Sequence, residues 1–193
     1  TVFNAASPNA NAGADQQVCA TTATLGGNAP IAPATGQWTL VSGSGTLTTP
    51  GSPSSGVTGL GVGANVFQWT LNNGPCANGV TTDQVTITRF DPAAPAANAG
   101  PDQSACSSSP TATLAGNTPT APSTGTWTLV SGTATITTPN SPTTTVTGLG
   151  IGVVTLRWTI NNGACGPAST DDMAITVYSV VAVTATVGPV RQR

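Results

Sequence analysis

The stretches F-Q-W-T-L at 67–71 and L-R-W-T-I at 156–160 alternate apolar and polar residues in the same phase. Successive side chains of a β-strand point to opposite faces of the sheet, so each stretch predicts a strand with one buried and one exposed face. In both stretches the apolar face carries a tryptophan, and the polar face carries threonine with glutamine or arginine. The two stretches therefore predict a β-protein whose core is built twice.

An internal repeat extends well beyond these strands. Residues 36–74 align without gaps on residues 125–163, with 24 of 39 positions identical. The phrase A-N-A-G at 10–13 recurs at 97–100. Within each copy, short alternating segments are separated by turn residues, which is typical of a sandwich with one buried face per strand. The sequence predicts an all-β fold of two tandem immunoglobulin-like β-sandwich domains with about seven strands each.

The repeat also predicts the domain organisation. We expect an N-terminal extension at 1–9, a first repeat at 10–90, a Pro/Ala linker at 91–96, a second repeat at 97–179 and a β-prone tail at 180–193. In the first repeat we expect strands near 16–19, 22–25, 37–41, 46–48, 56–58, 65–71 and 84–90. A linker rich in proline and alanine is expected to be extended and semi-rigid.

The predicted core consists of the four tryptophans and the large aliphatic residues that share their phase. Tryptophan faces also stack on sugar rings, but the in-phase placement favours the core, where a buried tryptophan is common in such sandwiches. The predicted core residues are Trp38, Trp69, Trp127, Trp158, Leu40, Leu71, Leu129 and Ile160.

Charge is scarce along the whole chain. Charged residues make up 5%, as four Arg and six Asp, and the formal net charge is −2. Without a basic stripe or a long apolar run, we expect neither nucleic-acid binding nor membrane insertion. Without His, Glu or Lys, general acid–base chemistry has almost no candidates, so we expect neither an enzyme nor a cofactor. Low charge instead favours self-association.

Two cysteines occur in each repeat at matching places. The duplication favours one disulfide within each repeat, Cys19–Cys76 and Cys106–Cys165. Free thiols and cross-links between subunits are the alternatives. Disulfides persist in oxidising compartments, so this prediction implies an extracellular protein. A zinc site is not expected, because the cysteines are far apart in sequence and the chain has no histidine.

Asp15 and Asp102 each follow the A-N-A-G phrase. An aspartate there can accept backbone hydrogen bonds in a turn that leads into the first strand. A calcium ion could instead take oxygen ligands from Asp15 or Asp102, but the clustered carboxylates that it prefers are missing, and we expect no metal site.

Several phrases of the second repeat carry a family resemblance. They are A-N-A-G-P-D-Q at 97–103, Cys106, T-L-A-G-N at 113–117, G-T-W-T-L-V-S-G at 125–132, N-S-P-T-T-T-V-T-G-L at 140–149 and R-W-T-I-N-N-G-x-C at 157–165. With them, the chain resembles the PKD-like, Ig-like repeats of large adhesin-type surface proteins in gliding and other Gram-negative bacteria. The resemblance implies a spacer or adhesive array exported to the bacterial cell surface, without catalytic residues.

Both ends of the chain carry strand-like segments. Residues 1–4 align with 88–91, the end of a last strand, and residues 181–187 alternate without charge. Such segments could pair with the sheet edge of a neighbouring copy, which predicts a head-to-tail homopolymer, although they could equally be ends left by truncation. The assembly candidates are Thr1, Val2, Phe3, Val181, Val183 and Val187.

Three functions follow from these expectations. The chain is foremost predicted to be a structural repeat unit of an extracellular filament, fibre or stalk, whose partner is itself or a neighbouring repeat. The alternatives are an adhesin module that binds glycans or surface proteins, and an accessory domain of a secreted enzyme.

Overall fold

The computed structural model describes residues 2, 7–75, 79–107 and 110–180. Within these ranges the regular structure is fourteen β-strands and one 3-10 turn, Gly163–Cys165. The strands of the first repeat are β1 Gln16–Val18, β2 Ala23–Thr24, β3 Thr35–Ser42, β4 Thr46–Leu47, β5 Gly56–Thr58, β6 Gly63–Asn72 and β7 Val80–Arg89. Those of the second are β8 Gln103–Ser107, β9 Ala112–Thr113, β10 Thr124–Ser131, β11 Thr135–Ile136, β12 Thr145–Thr147, β13 Gly152–Asn161 and β14 Ser169–Ser179.

Each repeat forms two sheets with the same topology. In the first repeat a four-stranded sheet has the order β1-β7-β6-β3, and a three-stranded sheet has the order β2-β5-β4. The second repeat reproduces both, as β8-β14-β13-β10 and β9-β12-β11. The first strand of each repeat pairs in parallel with the last one. The prediction of an all-β fold with two tandem immunoglobulin-like sandwiches is therefore confirmed.

A pair of tryptophans lies at the centre of each core. The Trp38 and Trp69 rings are tilted with their centroids 5.0 Å apart, and those of Trp127 and Trp158 are 5.1 Å apart. All four side chains are buried, and each indole nitrogen donates to a backbone carbonyl, for example Trp38 Nε1 to Pro53 O at 3.1 Å. Because the polar end of each ring is satisfied, the rings can be buried completely.

The tryptophan pairs require close backbone approach. A Cβ at Gly27 would lie 3.0 Å from atoms of both Trp38 and Trp69, and one at Gly36 would overlap the Trp69 ring. Gly116 repeats the first arrangement against Trp127 and Trp158. Gly27 and Gly116 therefore allow the same close approach to the tryptophan pair in both repeats.

The prediction that Leu40 and Leu129 belong to the core is wrong. Leu71 and Ile160 are buried, but Leu40 is 41% exposed and Leu129 is 40% exposed. Both leucines lie on β3 or β10, the outermost strands of their sheets, and β3 also has a register irregularity between Leu40 and Ser42. At an edge strand that bulges, alternation no longer guarantees that a neighbour covers the inward position.

The chain divides into two compact units whose limits differ from those of the repeats. The first unit comprises Thr1–Ala96, Pro119–Thr124 and Ile160–Ser169, and the second comprises the remainder. Two loops that belong to the second repeat in sequence are therefore part of the first unit. The predicted limits at 1–9, 10–90, 91–96, 97–179 and 180–193 stay a prediction.

Candidate functional site

The ends of β1 and β7 meet the two loops of the second repeat that belong to the first unit. We call this region the junction and define it by Cys19, Phe90, Asp91, the loop 119–124 and the loop 160–169. Phe90 N donates to Val18 O at 2.9 Å, which continues the parallel pairing of β1 with β7. The pairing places Cys19 beside Phe90 at the strand ends.

A disulfide joins the two sides of the junction. Cys19 is bonded to Cys165, 146 residues further along the chain, with 4.8 Å between the Cα atoms. The predicted pairs Cys19–Cys76 and Cys106–Cys165 are therefore wrong: the disulfide links the two repeats instead of closing a loop within each.

Strand geometry explains why the pairing within a repeat fails. Cys19 follows β1 at the end of the sheet where Arg89 is opposite Gly63, whereas residue 76 is in the connection between Asn72 and Val80. Ten-residue strands separate these two ends by about 30 Å, and a disulfide needs Cα atoms closer than about 7 Å.

The same argument holds in the second repeat. Cys106 is the register partner of Tyr178 near the end of β14, whereas Cys165 precedes the start of that strand. Cys106 is exposed, and among the described residues it is the one cysteine outside a disulfide.

An aromatic contact lies beside the disulfide. Phe90 is 6% exposed, and a Cβ added to Gly163 would overlap its ring. Gly163 has a φ of 51°, a left-handed conformation that glycine adopts without a steric penalty. Gly163 therefore lets the N-N-G turn lie directly on the phenylalanine ring.

Hydrogen bonds of Asn162 complete the junction. Its Nδ2 donates to Asp91 O at 2.9 Å, and its Oδ1 accepts from Ser123 Oγ at 2.7 Å. The Asp91 carboxylate accepts from Ala93 N at 2.9 Å and shapes the start of the linker. A depression of 220 Å³ remains between Gln17, Phe90, Pro122, Thr124, Asn161 and Gly163.

The aspartates of both repeats serve the fold. Asp15 Oδ1 accepts from Thr86 N at 2.8 Å, and Asp102 Oδ1 accepts from Ala174 N at the same distance. The predicted backbone bond exists, but its donor is on the last strand instead of in the adjoining turn. Asp83 and Asp171 accept from Ala12 N and Ala99 N in the same way.

Within the described ranges, no three His, Cys, Asp or Glu side chains lie close enough together to hold a metal ion. The described residues also form no helix suited to crossing a bilayer.

The predicted assembly residues fall almost entirely outside the described part of the chain. Val2 is described and is 91% exposed. Thr1, Phe3, Val181, Val183 and Val187 lie outside it, so strand pairing at the two ends stays a prediction.

No family model matches this chain, and no curated protein matches it. A solved structure of Dscam, on isoform specificity, is similar over 90% of this chain and 47% of that one, with a TM-score of 0.53 and 11% identity. The I-band fragment I67–I69 from titin is similar over 90% of this chain and 66% of that one, with a TM-score of 0.47 and 10% identity. The PKD domain from the KIAA 1837 protein covers 46% of this chain and 91% of its own length, with a TM-score of 0.39 and 22% identity.

The fold and the comparisons define the class of protein: tandem immunoglobulin-like β-sandwich domains. This chain spans about half of the Dscam chain and two-thirds of the titin fragment.

Proposed function

We propose that this chain is an extracellular structural protein, the repeat unit of a filament, fibre or stalk at a bacterial cell surface. The observation that carries the proposal is the Cys19–Cys165 disulfide, which ties the first sandwich to loops of the second repeat. A disulfide between the repeats can carry tension from one repeat to the next. This property suits a load-bearing array better than a pair of independent binding modules. It also needs an oxidising compartment, which supports an extracellular location.

Scarce charge supports assembly into a polymer. With 5% charged residues and a net charge of −2, electrostatic repulsion between copies is weak. The terminal segments at 1–3 and 181–187 would supply strands that pair with a neighbouring copy, so the copies join head to tail.

Electron microscopy of native material, with sedimentation of the purified chain, tests this function. We expect uniform filaments with one axial repeat per chain, and an average mass that rises with protein concentration. The polymer would be rejected if the chain stays monomeric over a wide concentration range at its native ionic strength and shows only isolated particles.

A cleft on the outer face of β3 and β6 favours a second candidate, an adhesin module. It measures 280 Å³ and is lined by Thr35, Gly36, Gln37, Thr39, Thr70, Asn72 and Val80. Hydroxyl and amide groups of this kind hydrogen-bond to sugars. Glycan-array binding that Thr39→Ala and Thr70→Ala weaken together would support adhesion, whereas an array without signal would leave the structural role alone. An accessory domain of a secreted enzyme would require a catalytic domain in the same gene product.

A further inference from the structure

The second repeat presents an unused copy of one side of the junction. Cys106 corresponds to Cys19, because each lies three residues after the glutamine, Gln16 or Gln103, that begins the first strand of its repeat. Tyr178 corresponds to Phe90, because the Asp83 and Asp171 bonds fix the alignment of β7 with β14. Tyr178 is the register partner of Cys106, as Phe90 lies beside Cys19.

The surface at Cys106 and Tyr178 differs from the surface at Cys19 and Phe90 in how much of it is covered. Phe90 is 6% exposed beneath Gly163, whereas Tyr178 is 58% exposed. Cys19 is in a disulfide, whereas Cys106 is exposed and free. A large aromatic ring and a thiol are thus both open to solvent at a surface whose counterpart is covered and bonded.

The first repeat carries the sequence of the other side of the junction. The N-N-G-x-C phrase that ends at Cys165 recurs at 72–76 and ends at Cys76. Gly74 repeats the left-handed backbone of Gly163, with φ of 68° against 51°. Asn72 Oδ1 accepts from Gly74 N at 2.9 Å, as Asn161 Oδ1 does from Gly163 N. The N-N-G part of the turn that covers Phe90 therefore recurs at 72–74.

We propose that the surface formed by Cys106 and Tyr178 docks the 72–76 turn of a second copy of this chain, with a disulfide between Cys106 and that copy's Cys76. This inference rests on the proposed polymer and names its joint: each link between chains repeats the junction within the chain. The occupant is a second copy of this chain, because one chain carries the sequences of both halves of the contact. In a polymer, each chain would use each half once and so repeat the junction.

The covalent step is a thiol–disulfide exchange. The two thiols lose two protons and two electrons to a disulfide-bearing oxidant, such as oxidised glutathione or a thiol oxidoreductase. The S–S bond of the oxidant breaks, that of the joint forms, and the oxidant leaves as two thiols.

Non-reducing electrophoresis of the full chain, oxidised with a glutathione redox pair, tests the joint. We expect a ladder of covalent oligomers from the wild-type chain and monomers from Cys106→Ser and from Cys76→Ser. Mixing these two variants leaves one usable thiol on each chain, so the mixture is expected to give dimers and nothing larger.

Three results would overturn the proposal. Dimers of Cys76→Ser alone would show a symmetric Cys106–Cys106 contact. A ladder that survives Cys106→Ser would place the link elsewhere. A wild-type chain that loses both thiols on oxidation but stays monomeric would show a bond between Cys76 and Cys106 of the same chain.

The docking contact is measured separately, by sedimentation under conditions that leave both thiols free. Tyr178→Ala is expected to weaken association of the copies about tenfold, because it removes a buried aromatic ring. Tyr178→Phe, which reproduces Phe90, should associate as the wild type does. Unchanged association of Tyr178→Ala would remove the tyrosine from the joint and overturn the docking geometry.

The joint and the polymer fail in distinguishable ways. Filaments that form from Cys106→Ser and Tyr178→Ala as well as from the wild type would uphold the structural function and reject this joint. A wild-type chain that forms neither covalent ladders nor filaments would reject both.

Discussion

Asn65 shows how a single buried polar side chain can organise a turn. It is 1% exposed, its Nδ2 donates to the carbonyls of Gly61, Gly63 and Ile87, and its Oδ1 accepts from Ser44 N at 2.8 Å. The second repeat has the apolar Val154 at the equivalent place, also buried. The two repeats therefore hold the same backbone by different means.

Exchange of this residue for its counterpart is expected to be costly. Asn65→Val leaves Ser44 N and three carbonyls without their partner, and a buried group that loses its hydrogen bond costs about 1–3 kcal/mol. Urea denaturation of the full chain measures the loss. If Asn65→Val were as stable as the wild type, the amide would not be what stabilises this turn.

The close approach of glycine to tryptophan gives a second prediction at the same scale. Gly36→Ala places a methyl group inside the Trp69 ring, and overpacking of this kind typically costs about 1–3 kcal/mol. Gly26→Ala is the matched control, because a Cβ there meets nothing within 4 Å. Thermal denaturation should show a lower melting temperature for Gly36→Ala than for the wild type, and a nearly unchanged one for Gly26→Ala. Equal stability of the two variants would contradict the close contact between Gly36 and the Trp69 ring.

Between strands β13 and β14, an ion pair stands where the first repeat has a pair of amides. Arg157 Nε donates to Asp172 Oδ1 at 2.7 Å and its NH2 donates to Oδ2 at 2.9 Å, whereas Gln84 Nε2 donates to Gln68 Oε1 at 3.1 Å. The hydrogen bond from Arg157 lowers the pKa of Asp172, and the same bond raises the pKa of Arg157. Both side chains are exposed, so solvent screens the pair and its contribution is small.

The pH dependence of stability follows from the direction of the Asp172 pKa. Since the folded pKa lies below the unfolded one, the pair stabilises the fold above the unfolded pKa, near 4, and this stabilisation is lost as pH falls through the folded pKa. The double variant Arg157→Gln and Asp172→Gln reproduces the amide pair and serves as the reference. Urea denaturation should show the wild type slightly more stable at pH 7, with the difference shrinking as the pH falls below about 4. A difference that grows on acidification would contradict this assignment.

Element geometry decided which parts of the fold could be predicted from the sequence. Strands such as β6 and β13 were predictable because both faces follow from one alternating pattern. Leu40 and Leu129 were not, because alternation does not tell an edge strand from a central one.

The disulfide was mispredicted because matching positions in two repeats do not show at which end of a sheet each cysteine lies. The order of elements in the sequence could have shown this. Cys76 and Cys165 each follow an N-N-G turn between two antiparallel strands, and such a turn is remote from the end of the parallel first strand, where Cys19 and Cys106 lie.

The turn at Gly163 carries a prediction about the junction. Gly163→Ala adds backbone strain at positive φ and also forces Phe90 aside, so the Cys19–Cys165 bond should become more accessible to reductant. Gly79→Ala is the control, because its φ of 43° brings the same strain without a neighbour within 4 Å. The rate of reduction by dithiothreitol should rise in Gly163→Ala and stay near the wild-type rate in Gly79→Ala. Equal rates in the two variants would show that the phenylalanine contact does not protect the disulfide.

At the scale of the whole molecule, one half of the junction recurs at Cys106 and Tyr178, where both residues are exposed, and the N-N-G-x-C phrase of the other half recurs in the sequence at 72–76. A chain with this property can extend by repeating a contact that it already makes, so a polymer would need no new type of interface. The low charge leaves little electrostatic repulsion between copies. The Cys19–Cys165 disulfide is the central element of this account, because the function and the joint between copies both rest on it.

A tryptic map without reduction, on monomer whose free thiols are first alkylated, tests that disulfide most directly. Cleavage after Arg89, Arg157 and Arg191 gives the peptides 1–89, 90–157 and 158–191, which separate Cys19, Cys106 and Cys165 from one another. We expect 1–89, alkylated at Cys76, to be disulfide-linked to 158–191, and 90–157 to be alkylated at Cys106. A map in which 90–157 is linked to 158–191, with 1–89 released alone, would show one bond within each repeat and contradict the Cys19–Cys165 bond.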